Sequence, residues 1–332
     1  MNGTPFALWM SMEPILLLAG RFLCPQPEPF MPLSSFRRAD RFPRARILSL
    51  AALASPALLA STPAAAVDLD AGDYDPAKPG TTLALVYLQH AERDEWRIDD
   101  EKLPGDNRLN SDVTIVRVVH YVDIGGVTVA PQVLVPVAGL RGRGDRATLG
   151  KASGLGDIIL AAPIWLVNKP ESNTYFGITP YLYLPTGDYK NSRTLNVGED
   201  RWKLNLQAAG SVRIAPRVAL DAGADITVYG KTGNDYAGGQ MSQKVGYQVQ
   251  SSLRYFLSSA VDLRAGISHA DFGKWTQASI ISAATTQTKF WVGSAIKPFG
   301  PTQLILTYGR DLDVNNGFKE ANRINVRLLY AF

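Results

Sequence analysis

The sequence predicts an all-β protein: a transmembrane, antiparallel, up-and-down β-barrel of about twelve strands, with short periplasmic turns and long external loops. Three observations support this fold class. Apolar and polar residues alternate along segments of about ten residues, the linkers alternate between long and short, and the chain begins with a stretch typical of secretion. With 46% hydrophobic and 19% charged residues, the 332-residue chain is too apolar to be disordered and too polar for a bundle of membrane helices.

The leader, residues 1–66, has the composition of an N-terminal extension followed by a signal peptide. Five arginines in residues 37–46 form a basic region, residues 47–60 form an apolar region, and three consecutive alanines end the leader at Ala66. This order is that of a bacterial secretion signal, so we predict cleavage near Ala66. The proline-rich residues before Met31 resemble no targeting segment, which favours Met31 as the true start.

Beyond the leader we predict a short periplasmic segment, residues 67–80, and an outer-membrane barrel, residues 81–332, in a Gram-negative bacterium. The leader holds six arginines and three acids. Removing them from the 34 basic and 30 acidic residues of the chain leaves 28 and 27, a net charge of +1. This balance excludes a nucleic-acid-binding surface. The single cysteine, Cys24, lies in the leader, which excludes disulfide scaffolds, zinc ribbons and cysteine nucleophiles.

The last strand shows the alternation most clearly. In residues 321–332 the apolar positions are Ile324, Val326, Leu328, Tyr330 and Phe332, and polar residues stand between them. A period of two indicates a strand with one apolar and one polar face. The same period recurs upstream, and it predicts strands that begin near Thr82, Asp112, Val127, Gly154, Thr174, Asp200, Val218, Gln243, Ala260, Thr288, Gln303 and Asn322.

The linkers between these strands alternate in length. The long ones are residues 91–110, 139–152, 186–198, 230–241, 269–286 and 311–320, and the short ones are residues 123–126, 168–173, 215–216, 257–259 and 297–301. Placing the short turns at one rim puts both ends of the barrel on that side, as in outer-membrane barrels. Aromatic residues near strand ends, among them Trp165, Tyr183, Trp202, Tyr308 and Tyr330, are expected at the membrane interfaces.

A soluble β-sandwich or a lipocalin-like barrel would also alternate. Strands of soluble sheets average five to six residues, whereas the segments here have the length that a tilted strand needs to cross a bilayer. In lipid, only a closed sheet pairs every backbone group without a helix. Secretion together with this strand length therefore favours a closed membrane barrel.

Short glycine-rich motifs resemble one family. The segments that carry the likeness are Gly154-Leu155-Gly156-Asp157 with Pro163, Pro185-Thr186-Gly187-Asp188-Tyr189, Asn196-Val197-Gly198 with Trp202, and the final Ala331-Phe332. Over residues 81–332 the chain resembles the outer-membrane "meta-pathway of phenol degradation" family of β-barrel transporters. The resemblance implies a barrel that passes small, hydrophobic or aromatic solutes by passive diffusion. It supplies no catalytic or ligand residues.

The residue pattern favours no enzyme. An outer-membrane lipid hydrolase, the least favoured alternative, needs serine and histidine side by side, and the His269-Ala270-Asp271 segment lacks the serine of the outer-membrane phospholipase motif. His90 and His120 accompany no nucleophile motif, and no histidine pair has metal-ligand spacing. We therefore predict no catalytic residue, no cofactor and no metal site. A structural or adhesive barrel, binding external partners through long charged loops, is the main alternative to a channel.

The candidate site is the set of charged residues on the polar phase of the strands, which would line the lumen. They are Asp157, Lys203, Asp221, Asp225, Lys244, Arg254, Asp262, Arg264, Arg323 and Arg327. Charges in a narrow lumen must pair with each other or contact water. They would form either a mixed-charge constriction that discriminates solutes, or cross-strand ion pairs that hold the wall together.

The predicted partners follow from the location. They are outer-membrane lipid and lipopolysaccharide, a small-molecule solute, and the barrel-assembly machinery, which would contact the C-terminal strand that ends in Phe332. No nucleic-acid partner is expected.

Overall fold

The computed structural model describes residues 68–233, 239–277 and 280–332, so the predicted leader and its cleavage site lie outside the described residues. The regular secondary structure of the described chain is β-strand, apart from one short 3₁₀ turn at Ala147–Leu149. No helix long and apolar enough to cross a membrane occurs in these described ranges.

Twelve strands form the barrel wall. They are β1 (Thr82–Ile98), β2 (Asn107–His120), β3 (Gln132–Gly144), β4 in three pieces (Lys151–Leu155, Ile159–Ala161 and Ile164–Lys169), β5 (Thr174–Tyr183), β6 (Lys203–Ala215), β7 (Val218–Tyr229), β8 (Gly246–Phe256), β9 (Val261–Asp271), β10 (Thr286–Ile296), β11 (Thr302–Asn315) and β12 (Gly317–Ala331). Outside the wall lie a small hairpin (Val122–Ile124 and Val127–Val129), a pair at Glu101–Lys102 and a three-stranded sheet (Met241–Gln243, Trp275–Gln277 and Ile280–Ile281).

Each strand pairs antiparallel with its sequence neighbours, and β1 pairs with β12 from Leu83 opposite Ala331 to Arg97 opposite Gly317. The last pairing closes the sheet, so no strand edge is left open to lipid. The closed, twelve-stranded antiparallel barrel confirms the predicted fold class.

The outer face is apolar over a belt that is one membrane thick. On β8, Tyr247, Val249, Leu253 and Tyr255 are exposed outward, while Arg254 between them is buried inside. The two tyrosines are eight residues apart, about 26 Å along the strand. Strand tilt reduces this to a height close to the ~25 Å apolar band of outer-membrane barrels, with aromatic residues at both edges.

The predicted strand ends differ from the observed ones mainly at the long-loop rim. Residues 311–320, predicted as a loop, continue β11 and β12 as strands that pair with β10 and β1, and the chain turns at Asn316, whose φ is 53°. Strand β3 also continues to Gly144, well into the predicted loop 139–152. Above the lipid, an apolar outward side chain no longer stabilises the barrel. The alternation of apolar and polar residues therefore ends before the hydrogen-bonded pairing of the strands ends.

Two further expectations are corrected. The third strand begins at Gln132 rather than Val127, because residues 122–129 form their own hairpin around Gly125 and Gly126. Both glycines have positive φ, 63° and 87°, as a tight hairpin turn requires. Among the predicted interface aromatics, Trp202, Tyr308 and Tyr330 face outward, but Trp165 and Tyr183 are buried inside the barrel.

Candidate functional site

The segment that precedes the first strand, residues 68–80, lies inside the barrel. The sequence instead predicts a periplasmic segment for these residues. The segment enters at the short-turn rim, where the N–H of Gly80 donates to the carbonyl of Tyr121 over 2.7 Å. It then reaches the middle of the lumen at Asp68. Leu69, Ala71 and Tyr74 are buried, with Ala71 only 1% exposed. We call residues 68–80 the lumen segment.

Ion pairs with the wall hold the inner end of the lumen segment. The Asp68 carboxylate lies 2.6 Å from Lys289 Nζ on β10 and 3.3 Å from Arg323 on β12. Asp70 lies 2.8 Å from Arg327 of β12. Burial alone would raise the pKa of Asp68, but attraction by Lys289 and Arg323 outweighs burial and keeps that pKa below its ordinary value. The Asp68 carboxylate is therefore ionised at neutral pH and anchors the inner end of the segment.

The outer end is held in the same way. Asp73 lies 2.6 Å from Arg327 and 3.6 Å from Arg117, and Asp75 lies 2.7 Å from Arg254. The four aspartates of the segment thus each pair with arginine or lysine of the wall. The aspartates are partly exposed, but their basic partners are largely buried. Removing an aspartate therefore leaves a buried cation, which costs several kcal/mol.

Neutral contacts fix the segment between these pairs. The Tyr74 hydroxyl lies 2.6 Å from Thr179 Oγ1, and Trp165 Nε1 donates to the Tyr74 carbonyl over 2.9 Å. Arg264 donates to the Ala71 carbonyl over 3.0 Å. The segment is therefore a specifically packed plug of the short-turn half of the lumen.

Gly72 is needed for this fit. Its φ of +89° is accessible to glycine at little cost, and a Cβ there would lie 2.8 Å from Arg254 Nη1. Its N–H also donates to Asp221 over 3.1 Å, and Asp221 in turn accepts from Arg254 over 2.8 Å. The turn at Gly72 and the Asp221–Arg254 pair therefore form one unit.

The structure distributes the ten predicted lumen residues over four places. Asp221, Arg254, Arg264, Arg323 and Arg327 contact the lumen segment, and Asp262 orients Arg264 through bonds of 2.8 and 2.9 Å. Asp225 is buried against Asn205 on β6, and Asp157 and Lys203 lie near the long-loop rim. Lys244 is exposed in the loop before β8. Most of these residues share one partner that the sequence did not predict, the lumen segment.

A second charged group was missed because it lies where a loop was predicted. Glu320 of β12 accepts from Arg93 of β1 over 2.5 Å and from Arg323 over 2.6 Å. The Glu320 N–H donates to the Asp311 carboxylate over 2.7 Å. The available signal was the alternation of Asp311 and Asp313 with Leu312 and Val314, a strand pattern within the presumed loop.

A cavity of about 320 Å³ lies beyond the lumen segment, whose aspartates Asp68, Asp70 and Asp73 form its floor. Its two walls differ in chemistry. One is apolar and includes Leu109, Val113 and Ile115 of β2, Leu134 and Pro136 of β3, and Ile159 of β4. The other is polar and includes Gln287 and Lys289 of β10, Thr307 of β11, and Glu320, Arg323 and Asn325 of β12.

An apolar cluster covers the long-loop end of the lumen. Its buried members are Trp96, Leu109, Leu140, Leu149, Ala152, Leu195 and Phe318. The Trp96 and Phe318 rings lie 5.0 Å apart, and the Arg146 guanidinium lies 4.0 Å over the Trp96 ring. The cavity therefore lies between an ion-paired plug and an apolar cover.

The glycine-rich motifs hold residues 184–202 against the interrupted β4. Asp157, in the break of β4, accepts the N–H groups of Gly187 and Glu199, each over 2.9 Å. A Cβ on Gly187 would lie 2.6 Å from the Cα of Gly198, so the two backbones touch. The motifs therefore position Leu195 in the apolar cover.

The Glu199 carboxylate fixes the end of this loop. It pairs with Arg201 over 2.7 Å and with Lys203, and all three side chains are buried. Burial alone would raise the pKa of Glu199, but attraction by Lys203 and Arg201 outweighs burial and lowers that pKa to about 2. The carboxylate therefore remains charged far below neutral pH.

This depressed pKa predicts an acid-dependent opening of the loop. Since the folded value lies below the ordinary 4.5, the pairing stabilises the loop fully above pH 4.5 and is lost as pH falls towards about 2. We expect pepsin to cleave within residues 184–202 much faster at pH 2 than at pH 4. A Glu199→Gln variant should be cleaved at both values, and a wild-type loop equally resistant at both would contradict the assignment.

The three histidines take no catalytic arrangement in the described chain. Their Nδ1 atoms bond to the Asp112 carboxylate (His90), the Thr82 hydroxyl (His120) and the Thr288 hydroxyl (His269). Within residues 68–233, 239–277 and 280–332, no group of three His, Cys, Asp or Glu side chains is placed to hold a metal ion.

Solved outer-membrane structures resemble this chain to different degrees. The COG4313 outer membrane channel from Pseudomonas putida F1 is 32% identical, with a TM-score of 0.77 over 80% of this chain and 100% of that one. The translocator domain of the autotransporter NalP from Neisseria meningitidis is 12% identical, with a TM-score of 0.46 over 78% of this chain and 90% of that one. A TodX monoaromatic hydrocarbon channel mutant is also 12% identical, with a TM-score of 0.46 over 77% and 91%.

The last two similarities have TM-scores below 0.5. No curated protein matches the chain. A family model described as "Putative MetA-pathway of phenol degradation" matches residues 94–328. This match covers most of the barrel, and the Pseudomonas channel shares both its fold and nearly a third of its sequence. The chain therefore belongs to this family of outer-membrane β-barrels.

Proposed function

We propose that the barrel is a passive channel for small hydrophobic or aromatic solutes, which pass through the cavity above the lumen segment. The observation that carries the proposal is the apolar wall of that cavity. Inward positions of outer-membrane barrels are ordinarily polar, because the lumen is hydrated. Val113, Ile115, Leu134 and Ile159 face inward nonetheless. An apolar inner wall favours solutes that leave water readily.

The cavity has the size for such a solute. A dry cavity of about 150 Å³ lined by aliphatic side chains is enough for benzene. The volume of about 320 Å³ found here would admit a substituted aromatic ring. The polar wall opposite, with Gln287 and Thr307, could bond to a ring hydroxyl.

The orientation and biogenesis belong to the same proposal. With the short-turn rim in the periplasm, the lumen segment closes the periplasmic half and the apolar cover faces outside. The signal peptide would be removed near Ala66, just before the lumen segment. Phe332, 72% exposed on the outer face, would present the last strand to the barrel-assembly machinery.

Hydroxyls on the apolar wall should slow uptake of an apolar solute. The Val113→Thr/Ile115→Thr variant keeps most of the side-chain volume and adds two polar groups. Toluene cannot hydrogen-bond to these hydroxyls, so it would leave each of them without a partner as it passes. We expect uptake of radiolabelled toluene into proteoliposomes to fall about five-fold for each such hydroxyl. Thr307→Val on the opposite wall is the matched control, and it should leave uptake unchanged or raise it.

Equal uptake by wild type and both variants would show that toluene does not pass along this wall. Equal loss in both variants would point to a general defect of the lumen. Heat-modifiability on gels confirms in each case that the barrel has folded.

A further inference from the structure

Four basic residues form a patch on the outer surface at the long-loop side of β2, β3 and β4. Arg108 lies directly opposite Arg143, and Arg141 lies directly opposite Lys151. All four side chains occupy the outward phase of their strands and are exposed. We call these four residues the basic patch.

The patch carries uncompensated charge. Arg108 binds Asp106 through two bonds of 2.6 Å. Within the described residues, no carboxylate lies within 4.0 Å of the charged nitrogens of Arg141, Arg143 or Lys151. Like charges directly opposite one another on neighbouring strands are destabilising. An anion that contacts several of these cations would remove this repulsion.

Two acids beside the patch pair with a histidine. Asp112 of β2 lies 2.6 Å from His90 Nδ1, and Glu92 of β1 lies 3.6 Å from His90 Nε2. Neither lies within 4.0 Å of a charged nitrogen of the basic patch, so they do not form ion pairs with it.

The position of the patch indicates the kind of anion. On the same outward faces, Val137 of β3, Leu155 of β4 and Val116 of β2 are exposed and belong to the apolar belt. Arg141 follows Val137 by four residues, about 13 Å along the strand. The patch therefore lies just past the hydrocarbon edge, at the height of lipid headgroups.

We propose that the basic patch binds the phosphate groups of the lipid A part of lipopolysaccharide. This rests on the proposed orientation, which places the long-loop rim in the outer leaflet, where lipopolysaccharide replaces phospholipid. Arginine binds phosphate through two parallel hydrogen bonds, and lysine adds a point charge. The acyl chains of the same lipid would cover the apolar belt beneath the patch. The ligand class is thus a lipid with more than one phosphate.

The test measures lipopolysaccharide bound to the folded barrel in detergent. The Arg141→Glu/Lys151→Glu variant should bind at least about thirty-fold more weakly, since it loses two basic residues, each worth a roughly five-fold gain near an anionic membrane surface, and adds two negative charges. The matched control, Arg310→Glu/Lys244→Glu, makes the same charge change at exposed positions away from the patch and should bind like wild type. Should the double glutamate variant fail to fold, Arg141→Gln/Lys151→Gln replaces it.

Three further arms identify the ligand. Enzymatically dephosphorylated lipopolysaccharide should bind wild type no better than the variant binds the intact lipid. Phosphatidylglycerol and inorganic phosphate should fail to compete at matched phosphate concentration. Equal binding by both variants and wild type would overturn the proposal, and so would equal loss in both variants or effective competition by phosphatidylglycerol.

A failure of the lipopolysaccharide proposal can be told apart from a failure of the channel proposal. The patch lies on the outer face, so its variants should keep wild-type toluene uptake whatever they do to lipid binding.

Discussion

Deleting residues 68–80 should raise the ion conductance of the barrel several-fold and make it anion-selective. The deletion removes the packed plug from the short-turn half of the lumen. Without the plug, the lumen of a twelve-stranded barrel is wide enough for a channel. The deletion also leaves Arg117, Arg327 and Lys289 without the carboxylates that now pair with them, whereas Arg254 keeps Asp221. A ring of unpaired cations in a narrow lumen favours anions. Single-channel recording with reversal potentials in a salt gradient measures both effects.

A charge-neutral variant serves as the control for this deletion. Replacing the four aspartates of the lumen segment by asparagine keeps its length and removes only the ion pairs. It should give conductance between that of wild type and that of the deletion, with frequent closures as the loosened segment returns. If the deletion variant conducts like wild type, the lumen segment does not limit permeation.

The barrel could be predicted from the sequence and the plug could not, because lipid restricts the outward side chains whereas the lumen does not restrict the inward ones in the same way. Ile324, Leu328 and Tyr330 face hydrocarbon, which admits only apolar side chains, so every strand carries a visible period of two. The lumen imposes no such pattern, because water, an ion pair or a packed segment can each satisfy an inward charge. The inward phase could be read from the sequence, but the partners of Arg254 and Arg327 could not.

The sequence nevertheless contains an indication of the plug. The aspartates at 68, 70, 73 and 75 precede a barrel with a surplus of inward arginines. An acidic segment and inward-facing basic residues are complementary in charge. The apolar wall left a signal as well. Along β2, Val113, Ile115 and Val119 interrupt the expected polar phase, and an inward position that is apolar has to pack against something other than water.

An arginine at Val326 should prevent assembly, whereas an arginine at Asn325 should be tolerated. Val326 lies on the outer face of β12, directly between Leu88 of β1 and Leu306 of β11, both of which are about half exposed to lipid. A charge near the middle of the hydrocarbon band costs about 2–4 kcal/mol. Val326→Arg should therefore assemble poorly and lose its heat-modifiable band on gels.

Asn325 points the other way, towards the cavity, opposite Gln89 and Thr307. An arginine there adds charge to a wall that already holds Arg323 and Arg327, and it can remain hydrated. Asn325→Arg should assemble almost normally and act on permeation instead. Refolding both variants into detergent and into lipid separates a lipid penalty from a packing defect, because only the lipid penalty depends on the bilayer. Equal assembly of the two variants would mean that β12 does not present Val326 to the membrane, and the inward assignments of Arg323 and Arg327 would then be wrong as well.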